Sequence, residues 1–174
     1  AHKGLVKAVI RQFQGATWQR CQTHFSRNVL DICPPKLQPM LKERLRSLYD
    51  APTVDIARTI LNDIIDDYEE AAPKIINTLE EGFDDITAVL SLPIKYRKRL
   101  RTSNCIERLN QEIRRRERVI RIFPNEKSLN RLMGAILIDQ NDNWSSGRKW
   151  LDMQEYLAWR EEEKKDIPGN EVAS

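Results

Sequence analysis

The sequence predicts a mostly α-helical protein with one short strand, on three observations. Apolar residues recur at intervals of three and four over most of the 174 residues, the period of a helix face. Prolines stand between those periodic runs, at Pro34-Pro35, Pro52 and Pro73, where they end a helix or suit its first turn. Only Ala16 to Cys21 is short, β-branched and aromatic in the manner of a strand.

Leu5, Val6, Val9, Ile10 and Phe13 form a stripe ended by Gly15, so a helix opens the chain, and the strand over 16–21 follows it. A helix is expected next, from about Thr23 to Pro34-Pro35. Three amphipathic runs come after it: Leu37, Met40, Leu41, Leu45 and Leu48; then Ile56, Ile60, Leu61, Ile64, Ile65 and Tyr68; then Ile75, Ile76, Leu79, Phe83, Ile86 and Leu90. Together they read as a compact, self-packed helical body. Further helices are expected from Cys105 to about Arg118 and from Glu126 to Gln140, and Lys164 to Ser174, with Pro168, Gly169 and no periodicity, reads as a frayed tail. There is no internal repeat.

Composition narrows the class. At 40% hydrophobic and 32% charged, the chain can bury a core of ordinary size. No apolar run approaches the roughly 20 residues that span a bilayer, and the start has no secretory leader, so a soluble, cytoplasmic protein without a membrane partner is expected. Cys21, Cys33 and Cys105 are odd in number and irregular in spacing, which argues against a disulfide framework and fits a reducing compartment. The first residues, Ala1-His2-Lys3, lack an initiating Met, which reads as a piece of a longer reading frame.

The net charge of +3 conceals a sorting of charge along the chain. From Lys95 to Arg121 eleven basic residues face only Glu107, Glu112 and Glu117. From Asp50 to Ser91 eleven acids face only Arg58 and Lys74. Both blocks are consistent with solvated helix faces, but the basic one is also a candidate phosphate track, because each Lys or Arg beside a phosphate releases condensed counterions.

The most informative segment runs from Arg101 to Arg116. On a helix, Ile106, Leu109, Ile113 and Ile120 fall on one side, while Glu107, Gln111, Arg114 and Arg118 fall in a narrow strip opposite. One acid thus sits among basic and amide groups. Two readings stand side by side: a functional carboxylate, or a helix start in which Asn104 is the cap and Glu107, three residues on, closes a capping box.

Cys21 and His24 have the spacing of a metal-binding pair, but a structural zinc needs four ligands, and His2, Cys33 and Cys105 make no second pair. A buried Cys at a strand end is the ordinary alternative. Trp144, Trp150 and Trp159 have rings that can stack on bases, though packing is the expected role.

Three segments resemble the Mutator-type transposases of bacterial insertion sequences. Thr102 to Arg116 resembles the stretch that carries that family's catalytic glutamate; Trp18 to Asn28 is similar to its Cys-x-x-His signature; and Ala1 to Leu5 resembles the stretch directly after its second catalytic aspartate. They occur in the family's order, and the likeness extends to about Trp159.

The resemblance implies a C-terminal fragment of a ribonuclease-H-like α/β catalytic core interrupted by an all-helical insertion. In such a core two aspartates and a glutamate (a DDE set) hold two Mg²⁺ or Mn²⁺ ions for DNA strand cleavage and strand transfer. It implies Glu107 as the third acid and a metal ligand. Arg114 becomes its basic partner, with Arg108, Arg115 and Arg118 beside it on DNA, and Cys21 and His24 form a motif near the active site. The first aspartate would lie well upstream and the second immediately before Ala1, so the fragment alone is expected to be inactive. The implied organisation is core over 1–34 (helix, strand, helix), helical insertion over 35–100, C-terminal core helices over 101–160, and a flexible tail over 161–174. Transposon terminal inverted repeats and target DNA are the implied partners, with homo-oligomerisation on DNA and a place at the bacterial nucleoid. A non-catalytic helical module that binds nucleic acid, or serves interaction, is the alternative.

Overall fold

The computed structural model describes residues 3–147 and 151–165; Ala1, His2, Trp150 and the part of the expected tail over 166–174 lie outside the described residues. The chain is mostly helical. Its contacts divide it into two compact units, one up to Ile106 and one from Glu107 onward.

In the first unit the helices are α1 (Lys3–Gln12), α2 (Gln22–Asp31), α3 (Gln38–Tyr49), α4 (Val54–Tyr68), α5 (Pro73–Thr87), a 3₁₀ turn over Ala88–Ser91, and α6 (Ile94–Leu100). Helical spacing selects what each one buries. Leu41, Leu45 and Leu48 form the inner face of α3, and Ala57, Leu61, Ile64 and Tyr68 that of α4. The inner face of α5 carries Ile75, Leu79, Phe83 and Ile86. Local sequence sets the starts: the Thr53 hydroxyl accepts from the Ile56 N–H at 3.3 Å, and Pro73 stands in the first turn of α5. Helix α3 packs on α4, α4 on α5, and α2 on both α3 and α5.

The core is not confined to the three amphipathic runs. Phe25, Val29 and Cys33 belong to the same buried cluster as Leu41, Leu61 and Leu79, so the helix carrying the Cys-x-x-His segment is built into the helical body that follows it. At Gly82 an added Cβ would overlap the Phe25 ring, and this glycine lets α2 and α5 approach closely.

The strand expected over 16–21 does not form, and no strand exists among the described residues. A strand needs a ladder partner, and here the segment's groups are committed elsewhere. The Arg20 N–H donates to the Asp85 carbonyl at 2.8 Å, and the Gln19 amide donates to the Ile86 carbonyl at 3.2 Å while accepting from the Val89 N–H at 2.7 Å. The segment closes the C-terminal end of α5, whose last carbonyls have no partner within the helix.

The second unit holds most of α7 (Asn104–Ile120), then α8 (Glu126–Ser146) and α9 (Met153–Lys165). The Asn125 side chain accepts from the Ser128 N–H at 2.9 Å and caps α8, which extends past the expected end at Gln140. Asp152 accepts from the N–H groups of Gln154 and Glu155 at 3.1 and 3.3 Å and starts α9. Residues 161–165, expected to be tail, are the last turns of that helix, carried by Glu and Lys, which are good helix formers. Among the described residues no helix is long and apolar enough to cross a membrane.

Candidate functional site

In the first unit the site is assembled by three backbone commitments. The close of α5 holds Gln19 and Arg20 as described, the Gln22 side chain donates to the Ile86 carbonyl at 2.8 Å, and the Gln22 N–H donates to the Arg101 carbonyl at 3.0 Å. The last of these brings the segment after α6 beside the first turn of α2. Cys21, the residue just before α2, thereby meets Ser103.

A cavity of about 400 Å³ opens at this point, lined among others by Trp18, Arg20, Cys21, His24, Asn28 and Ser103. Burial opposes ionisation of the Cys21 thiol, but hydrogen bonding from the Ser103 side chain, the His24 and Ser103 backbone and the His24 side chain outweighs it and brings the thiol down to about 7. Cys21 is therefore partly thiolate near neutrality. With its amide turned to satisfy both neighbours, Asn28 donates to the His24 carbonyl at 3.2 Å and accepts from the Arg20 guanidinium at 3.0 Å. Arg20 also lies over the Phe25 ring at 4.7 Å. The Trp18 indole N–H is buried without a partner among the described residues, a donor available to an acceptor entering the cavity.

In the second unit the strip read from the sequence is present on α7: Glu107, Gln111, Arg114 and Arg118 are all exposed, with Glu107 in the first turn. Asn104 is itself the first helical residue, so the position before the helix belongs to Ser103. Arg115 is distinguished from Arg114 by its partner. Its Nη2 donates to Glu112 at 2.7 Å, and Arg116 Nε donates to the same carboxylate at 2.9 Å. These two guanidinium groups, Arg115 first, hold the Glu112 carboxyl down to about 2.

The basic block is thus divided in its employment. Arg97 Nε donates to the Leu92 carbonyl at 2.6 Å and its Nη1 to the Pro52 carbonyl at 2.9 Å, fastening α6 to the turn between α3 and α4. Arg101 pairs with Asp50 at 2.6 Å. Arg108, Arg114 and Arg118 remain on the exposed face of α7. Of the tryptophans, Trp144 is exposed on α8, and Trp159 packs against Tyr156 with ring centroids 5.6 Å apart.

Sequence reasoning did not find Trp18, Arg20, Asn28 or Ser103 as site residues. Their only shared signal is position within one to seven residues of Cys21 or Glu107, which marks neighbourhood and not contact.

Residues 1–147 match the family described as "Transposase, Mutator family". The chain is similar to the transposase for insertion sequence element IS256 in transposon Tn4001 of Staphylococcus aureus, 41% identical over 155 residues, covering 87% of this chain and 40% of that protein. It is 36% identical over 154 residues to the transposase for ISRM5 of Rhizobium meliloti, covering 88% and 39%. Against the transposase for IS1081 of Mycobacterium tuberculosis it is 34% identical over 154 residues, covering 88% and 37%. The chain spans about 40% of the length of the curated relatives it matches.

Proposed function

The chain belongs to the Mutator family of transposases, and from that premise we propose that it supplies the C-terminal part of an insertion-sequence transposase's catalytic domain. The reaction is metal-dependent cleavage of DNA strands at transposon ends followed by strand transfer, on a ribonuclease-H-like core to which these helices belong. The observation that carries this reading is the exposed strip of α7, where one carboxylate, Glu107, shares a helix face with Gln111, Arg114 and Arg118.

Glu107 is the third acid of the DDE set. Its carboxylate offers the hard oxygen donors that Mg²⁺ or Mn²⁺ takes, whereas the thiol of Cys21 and the imidazole of His24 are softer donors and suit those ions poorly. Two such ions, when bound by the complete acid set, activate the attacking hydroxyl and stabilise the leaving oxygen. Arg114 and Arg118 engage phosphates on the same face, and Arg108 and Arg115 extend that contact along the helix. Cys21 and His24 belong to the Cys-x-x-His motif that the family resemblance assigns near the active site. Terminal-repeat and target DNA are the partners, and the protein works as a homo-oligomer on them.

The test is Glu107→Gln in a complete transposase carrying this segment. Side-chain size and most helix-start hydrogen bonding are kept, so folding and DNA affinity should stay near wild type. Transposon excision in cells should fall by orders of magnitude. Near-normal excision would make Glu107 a helix-start residue and leave the chain a DNA-binding module.

A further inference from the structure

A second groove lies in the first unit, between α2 and α3, with a volume of about 490 Å³. Its walls are two pairs at helical i, i+4 spacing: Thr23 and Arg27 on α2, Lys42 and Arg46 on α3. Arg101 also lines it, so four cations line the groove against one carboxylate, Asp50. The floor is fixed. The Tyr49 hydroxyl meets Ser26 Oγ at 2.8 Å, and burial pushes that phenol up to about 12, so it stays a neutral hydrogen-bonding group.

The cations are not equally employed within the fold. Arg101 is paired with Asp50 at 2.6 Å and Arg46 with Glu43 at 3.1 Å. Arg27 and Lys42 are exposed, one on each wall, with no ion pair or hydrogen bond among the described residues. Two exposed cations lining one groove repel, and neither belongs to the buried cluster that packs α2 on α3. A groove of about 490 Å³ on the surface of two packed helices has room for a length of sugar-phosphate backbone but not for a duplex. Thr102 lines both this groove and the cavity at Cys21, so the two are neighbours.

We propose that the α2–α3 groove binds the phosphodiester backbone of one DNA strand, with Arg27 and Lys42 as its main phosphate contacts and Thr23 and Thr102 as hydroxyl donors. This rests on the transposase reading of the chain and adds a contact surface separate from the arginines of α7. Backbone contacts of this kind position DNA and carry no sequence information.

The experiment measures binding of the 174-residue chain to a fluorescein-labelled oligonucleotide by anisotropy across a salt series. Removing both side chains in Arg27→Ala/Lys42→Ala should lower the slope of log affinity against log salt by about two ions' worth, and Arg27→Lys/Lys42→Arg should retain it. Circular dichroism should stay unchanged in both. An unchanged slope in the alanine pair, with Arg114→Ala still lowering it, overturns the groove alone and leaves the transposase reading intact. Equal competition by polyglutamate and by unlabelled DNA overturns it in favour of an acidic protein partner. No DNA binding by the wild-type chain at any salt overturns both.

Discussion

The backbone N–H of Gln22 donates to the carbonyl of Arg101 at 3.0 Å, and this one bond joins the start of α2 to the end of α6 across most of the first unit. Cys21 on one side of it and Ser103 on the other are thereby neighbours, although 82 positions separate them in sequence. The lowered thiol is a product of that closure, since Ser103 is the largest of the influences that favour the thiolate.

Cys21 should therefore alkylate with iodoacetamide with a midpoint near pH 7, while Cys33, whose thiol burial pushes up, should react only at higher pH and slowly. Ser103→Ala should move the Cys21 midpoint upward. The linkage has a definite sign. A thiol at about 7 folded and about 8.5 unfolded stabilises the fold fully above about 8.5, and that contribution is lost as pH falls through about 7. Peptide mapping of alkylation against pH checks the midpoint, and an ordinary thiol midpoint in the wild type refutes the arrangement.

Gln22 is 3% exposed and its amide donates to the buried end of α5. Gln22→Leu keeps the volume but leaves the Ile86 carbonyl short of a donor, with Gln19 at 3.2 Å the remaining one. The expected loss is about 1–2 kcal/mol in urea denaturation, the size of a buried group deprived of its partner. Cys21 should also lose its low alkylation midpoint in this variant, because the closure that aligns Ser103 is loosened.

Gly82→Ala sets two effects against each other. Alanine gains roughly 1 kcal/mol of helix propensity over glycine, but its Cβ would overlap the Phe25 ring, and overpacking of a core costs roughly 1–3 kcal/mol. Phe25 is fully buried, so the ring has little room to retreat and the net effect should be destabilising. Combining Gly82→Ala with Phe25→Leu should cost less than the sum of the two single changes, and strict additivity would show that the ring is not the obstacle.

What the sequence made legible follows from the range of the interactions involved. The buried faces of α3, α4 and α5 are local patterns, and Leu41, Leu61 and Ile75 lie where helical spacing and proline punctuation put the core. The strand over 16–21 was misread because β-branched and aromatic residues describe an extended, half-buried segment whether or not a partner strand exists. Its actual partners, Asp85 and Ile86, lie more than sixty residues away. Helix α6 was hidden for another reason: Tyr96 is its one buried residue, so a run of Lys and Arg carries no apolar period. The strip on α7 was legible because a helix face needs only spacing. The cavity beside Cys21 was not, since it depends on the meeting of α2, α5 and the segment after α6.

The arginines of α7 should separate by their partners in binding DNA. Arg114 makes no ion pair among the described residues, whereas Arg115 forms two hydrogen bonds to Glu112, at 2.9 and 2.7 Å, and must leave them to meet a phosphate. Arg114→Ala should weaken binding and lower the salt slope by about one ion's worth. Arg115→Ala should lower it by less, because its charge is already partly offset by the neighbouring carboxylate. Glu112→Gln supplies the converse case. The glutamate is ionised at any pH above about 2, so its removal releases Arg115 and Arg116 over the whole range in which binding can be measured. Affinity should rise and the salt slope should steepen, and Arg115→Ala made in the Glu112→Gln background should then cost as much as Arg114→Ala. Anisotropy across a salt series reads the wild type and all four variants on one scale. Equal effects of Arg114→Ala and Arg115→Ala in the presence of Glu112 would mean that the carboxylate does not restrain its partner, and that the exposed face of α7 meets DNA as an undivided band of charge.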